Sequence, residues 1–151
     1  MSILAIDYGA KKIGLAKSDE SHSLALPLDV IIDASHSVLL EKLKSICQDY
    51  DITQIVVGVP VSFSKGKSDT AGLLRETDLA NKQMREVLEF IQWLKANIDL
   101  PIVMEDERLS SKMAGEMMKG EMKGQPDDAV AAMLILQSYL DKSKAQSPNV
   151  K

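Results

Sequence analysis

The chain has a single cysteine, Cys47, among its 151 residues. It can form no internal disulfide and offers no thiolate pair to a metal, so a reducing cytoplasm is its expected home. The two histidines, His22 and His36, lack zinc-ligand spacing, and no Ser-His-Asp arrangement is evident. No apolar run is long enough to span a bilayer, so no membrane partner is expected. The first residues go directly into a strand-like pattern, which argues against a cleaved signal peptide. A basic excess is missing too: the net charge is -4, whereas nucleic-acid-binding modules are usually basic overall. That lack does not exclude nucleic acid, because the placement of charge matters more than its sum. No repeat or linker divides the sequence. What remains, 45% hydrophobic and 26% charged, suits one globular domain that can bury a core without covalent staples.

What is present begins with "ILAIDYGAKKIGLAKSD", residues 3 to 19. The run Ile3 to Ile6 is short and apolar, and Asp-Tyr-Gly ends it, as expected of a buried strand. "KIGLAKSD" alternates and reads as a second strand, joined to the first by a hairpin through Gly9. "LALPLDVII" is a third strand, which Pro27 places at an edge or bulge. The period then changes. "SHSVLLEKLKSICQDY" has helical spacing with Ser35 or Ser37 as its cap, and "QIVVGVP" is a buried strand stopped by turn chemistry. A polar loop follows, and then a long helical pattern from about Leu73 to Ile98. "LPIVMEDER" is the last strand, a helix is expected over 110–118, and a final helix opens near Asp127. An antiparallel meander followed by βαβ crossovers predicts an α/β domain, a mixed sheet covered by helices. It spans residues 1–142, and 143–151 form a polar, frayed tail.

Acids stand at the ends of these elements. Asp7 ends the first strand, Asp106 and Glu107 end the last, and Asp127 and Asp128 open the final helix. Sites in open α/β sheets form at the carboxyl ends of strands. Clustered carboxylates repel one another unless a hard cation such as Mg²⁺ or Mn²⁺ is held between them. Two such ions roughly 4 Å apart support phosphodiester hydrolysis. Each acid also has a plainer explanation. Asp7 before Tyr8-Gly9 suits a turn, Asp127 after Pro126 suits an N-cap, and Asp106 could pair with Arg108.

Taken together the motifs resemble the YqgF family, also called RuvX, of the ribonuclease H-like superfamily. "AIDYGAKKIGLAKSD" is similar to its opening strand pair, "IVVGVPVSFSKGKSDTA" to its Gly-x-Pro strand and loop, "PIVMEDERLSS" to its Asp-Glu-Arg segment, and "KGQPDDAVAAMLILQSYL" to its closing helix. The resemblance covers nearly the whole chain and implies a ribonuclease H-like fold, a five-stranded mixed sheet flanked by helices. It implies Asp7, Glu107 and Asp128 as catalytic residues and ligands of Mg²⁺ or Mn²⁺, two ions in all, with Asp106 and Asp127 the second choices. The function implied is a metal-dependent endonuclease processing the 5' end of pre-16S rRNA in ribosome biogenesis. Alternatives are a Holliday junction resolvase acting on branched DNA, or a non-catalytic RNA-binding assembly factor. The stretch "LLRETDLANKQMREVLEF" is longer than the family's usual segment, and Tyr8 stands where the family often has Pro or another aromatic.

Basic residues gather around these acids in the sequence. Lys11, Lys12 and Lys17 follow Asp7, Lys65 and Lys67 sit in the Gly66 loop, and Arg108, Lys112, Lys119 and Lys123 flank the later acids. Each alone suits a solvated surface, but as a set they could form a nucleic-acid-binding rim, with Arg108 and Lys123 on phosphates. Glu41, Asp49, Glu86 and Glu89 are expected on helices elsewhere, and Trp93 in core or interface rather than as a base-stacking platform. Junction resolution needs two sites and hence a homodimer, whereas strand trimming needs only a monomer. An ATP-dependent phosphotransferase would also fit an early Asp-x-Gly hairpin, but this length leaves no room for the second domain that closes over nucleotide.

Overall fold

A computed structural model describes residues 1–9, 11–60, 79–106 and 127–145. Lys65, Lys67, Glu107, Arg108, Lys112, Lys119 and Lys123, and the helix expected over 110–118, lie outside the described residues. Five strands and three helices follow in the order β1 (Ser2–Tyr8), β2 (Lys12–Ser18), β3 (Ala25–Ile32), α1 (His36–Asp49), β4 (Ile52–Val59), α2 (Leu79–Asn97), β5 (Ile102–Asp106) and α3 (Asp127–Ala145). Helix α3 runs past Lys142, where the polar tail is expected to begin.

The strands form one mixed sheet in the order β3-β2-β1-β4-β5. The meander is antiparallel, and β1, β4 and β5 run parallel, as the sequence predicts. Pro27 lies on the edge strand, opposite the register shift between Leu15 and Ala16. An edge tolerates the missing N–H donor. Strand β4 reads as a continuous β-branched run because it is buried on both faces between parallel neighbours.

Strand alternation divides the core in two. Leu4 and Ile6 of β1, Ile13 and Leu15 of β2, and Val57 and Val59 of β4 pack against α1 and α2, where Leu39, Leu43, Met84, Val87, Ile91 and Leu94 meet them. Ile3, Ala5, Ala16, Ala25 and Val56 pack against α3. The alanines on that face leave room for a helix buried on most sides by Val130, Leu134, Ile135 and Leu136. Ser35 caps α1, its Oγ accepting from Val38 N–H at 3.4 Å. Within the core, Ser18 Oγ accepts from Ile3 N–H at 2.8 Å, so neither polar group is orphaned. Glu105 is also buried, and its Oε2 accepts from Ser138 Oγ at 2.9 Å and from Lys142 Nζ at 2.8 Å, which ties β5 to α3. Among the described residues no helix is long and apolar enough to cross a membrane.

Candidate active site

Asp7 shares a face of β1 with Ile3 and Ala5, the face that α3 covers. Its partner across the hairpin is Gly14. A Cβ at Gly14 would overlap the backbone carbonyl of Asp128 and stand 3.1 Å from Ala129 N, so only glycine lets the start of α3 lie on the strand there. The register and this close approach bring the backbones of Asp7 and Asp128 to one spot, though they come from opposite ends of the sequence. Both residues are half-buried. Gly9 has a comparable role in the turn, since a Cβ there would sit 2.6 Å from the Lys12 carbonyl oxygen.

The other acids separate by face. Glu105 is held by α3 side chains, and Ile102, two residues before Met104, packs on the α1–α2 core. Alternation therefore places Asp106 on the α2 side of the sheet, away from Asp7. Among the described residues no group of three or more His, Cys, Asp or Glu side chains is placed to hold a metal ion. The third acid expected there, Glu107, is outside them.

The basic rim is only partly where the sequence reading puts it. Lys11 and Lys12 are exposed in the hairpin beyond Asp7, and Lys12 shares the Gly14 face of β2. Lys17 does not belong with them. It pairs with Leu4, three positions down the ladder, and its ammonium lies 5.2 Å from the centre of the Tyr50 ring. Glu86 and Glu89 also differ from expectation. They come to the same end of the sheet, beside Tyr8, whose hydroxyl is pushed up in pKa first by burial and then by these two charges. Tyr8 stacks on Phe90 at 4.2 Å, Phe90 on Trp93 at 5.7 Å, and Trp93 on His36 at 5.2 Å. Sequence reading missed both this ladder and Gly14. A glycine in mid-strand is the one local signal that could have marked the close approach.

The family model described as RuvX, Holliday junction resolvase, matches residues 1–142. The chain belongs to the RuvX family. Among curated proteins, one named "Putative pre-16S rRNA nuclease" from Rickettsia typhi (strain ATCC VR-144 / Wilmington) is 35% identical over 147 residues, 94% of this chain and 86% of that protein. A protein of the same name from Rickettsia felis (strain ATCC VR-1525 / URRWXCal2) is 35% identical over 94% of this chain and 87% of its own. Among solved structures, T. thermophilus RuvC in complex with Holliday junction substrate superposes with a TM-score of 0.56 at 10% identity, covering 97% of this RuvX chain and 98% of that chain. The fowlpox virus Holliday junction resolvase gives 0.51 at 12%, covering 94% and 99%. At such identities these likenesses establish the fold, which is ribonuclease H-like.

Proposed function

We propose that this RuvX-family hydrolase is a metal-dependent endonuclease acting on pre-16S rRNA, with Asp7, Glu107 and Asp128 as its catalytic acids. The observation that carries the reading is Gly14, whose missing side chain lets α3 start over the strand position paired with Asp7. Two acidic residues whose backbones meet there would suit Mg²⁺ or Mn²⁺ as hard oxygen donors. When bound, such ions would lower the pKa of a water and offset charge on the leaving oxygen. The turn of Asp106 to the far face favours Glu107 as the third acid. Lys11 and Lys12, with Lys65, Lys67, Arg108 and Lys123 as further candidates, would hold phosphates and set the strand's register. The acids fix the position of the attacking water. Its oxygen bonds to phosphorus as it gives up a proton to solvent, the opposite P–O bond breaks, and the leaving oxygen takes up a proton from solvent, so that water is added across the broken bond.

The substrate assignment is supported by the names of the relatives at 35% identity, and it implies action in the cytoplasm. The family description favours branched DNA as the second reading. One assay separates them: a precursor rRNA with an unprocessed 5' end and a four-way DNA junction, each incubated with Mg²⁺ or Mn²⁺. Cleavage of the rRNA is expected, and preferential cutting of the junction by a dimer would move the assignment to resolution. Binding without cleavage under either metal would leave a non-catalytic assembly factor. Asp7→Asn should lower the rate on the order of a hundredfold or more, the scale of several kcal/mol of transition-state stabilisation, with the fold intact by circular dichroism. An unchanged rate would overturn the catalytic assignment.

A further inference from the structure

Tyr8, His36, Glu86, Glu89, Phe90 and Trp93 line a partly enclosed cavity of about 190 Å³ at the carboxyl end of β1. It lies on the sheet face opposite Asp7, yet Tyr8 directly follows Asp7 in the strand. A nucleotide chain crossing this end of the sheet can therefore present a phosphate to one face and a base to the other. The cavity's chemistry is two-sided. The ladder of near-parallel rings, Tyr8–Phe90–Trp93–His36, ends in rings that have a ring partner on one side only among the described residues. Beside it stand the carboxylates of Glu86 and Glu89, neither of which forms an ion pair within 4 Å with a described lysine or arginine, Lys82 and Arg85 one helical turn before them included.

We propose that this cavity receives one unpaired base of the nucleic-acid substrate and selects guanine; the inference rests on the nuclease reading above. Aromatic stacking accepts any base, because every base has a π-face. The carboxylates make the choice. An ionised Glu only accepts hydrogen bonds, and its two oxygens match two adjacent donors. Guanine alone offers such a pair on its Watson–Crick edge, N1–H and the N2 amino group. Uracil offers one N–H between two carbonyls, and adenine and cytosine each set an acceptor nitrogen beside their amino group. Phosphates would be repelled by Glu86 and Glu89, so the pocket takes the base and leaves the backbone to Lys11 and Lys12.

Trp93 is the sole tryptophan of the chain, so its fluorescence reports on this cavity directly. The test titrates the full chain, without metal, with the pentaribonucleotides UUGUU, UUAUU, UUCUU and UUUUU. Saturable quenching is expected with UUGUU at concentrations on the order of tenfold lower than with the other three, the scale of hydrogen bonds to a charged group. Glu86→Gln or Glu89→Gln should bring that ratio toward one, since an amide replaces one acceptor with a donor, while circular dichroism stays unchanged. Equal quenching by all four, no saturable quenching, or a guanine preference that survives both substitutions would overturn the proposal. Tighter quenching by N-acetyl-arginine amide than by any oligonucleotide would also overturn it, in favour of a cationic protein side chain. Cleavage plays no part in this readout. The pocket can thus fail while Asp7-dependent cleavage stands, and guanine selection can persist in a chain that cuts nothing.

Discussion

At the scale of single residues, a missing side chain governs how the start of α3 meets the strand pair. Gly14→Ala would press a methyl group against backbone that has no rotamer to turn aside. We expect a loss of about 1–3 kcal/mol in urea-induced unfolding. A displacement of Asp128 by even an ångström should also slow cleavage by about a hundredfold. Gly9 and Asp7 could be read from the sequence, because a strand ending in Asp-x-Gly announces a tight exit. Lys17 was misjudged for a simple reason: nearness after Asp7 in sequence is not nearness in space. Hairpin pairing carries Lys17 three positions along the ladder from Gly14, roughly 10 Å at the usual strand rise, and toward Tyr50.

At the scale of elements, the tie between β5 and α3 is the most exposed to test. Lys142→Ala leaves the buried Glu105 carboxylate with Ser138 as its one remaining described partner. The loss should be about 1–3 kcal/mol in chemical denaturation, nearer the low end because the Lys142 side chain is half in solvent. Adding Glu105→Gln to it should recover part of that loss by removing the buried charge. Most elements were legible because their periods are clean: two in the meander, and near 3.6 where Met84, Val87, Ile91 and Leu94 line α2. The edge position of β3 was legible from Pro27. What could not be read was how α2 meets β1. Glu86 and Glu89 look like a solvated helix face in sequence, and only the packing of Phe90 against Tyr8 turns them toward the cavity. That Asp106 lies on the α2 side of the sheet was likewise a matter of sheet phase, fixed by the grip of Ser138 on Glu105.

At the scale of the whole molecule, alkaline pH should loosen the fold. Burial pushes the Cys47 thiol up, and burial with the charges of Glu86 and Glu89 pushes the Tyr8 hydroxyl up. Both groups hold their protons more tightly when folded, so their contribution is complete below the unfolded-state values. It declines as pH rises from about 8.5 for the thiol and about 10 for the phenol. Melting temperature should fall across that window, and Cys47→Ser should flatten its lower part. The two cores on either side of the sheet have a different consequence for how the protein comes into being. Asp7 and Gly14 are synthesised before the helix that lies over them, which comes more than a hundred residues later in the chain. Until α3 docks, Ile3, Ala5, Ala16 and Val56 have no cover, and the acid face lacks its C-terminal wall. A chain whose α3 has not docked should thus be inert toward the RNA it is proposed to cut. Docking of α3 and the meeting of Asp7 with Asp128 become the same event.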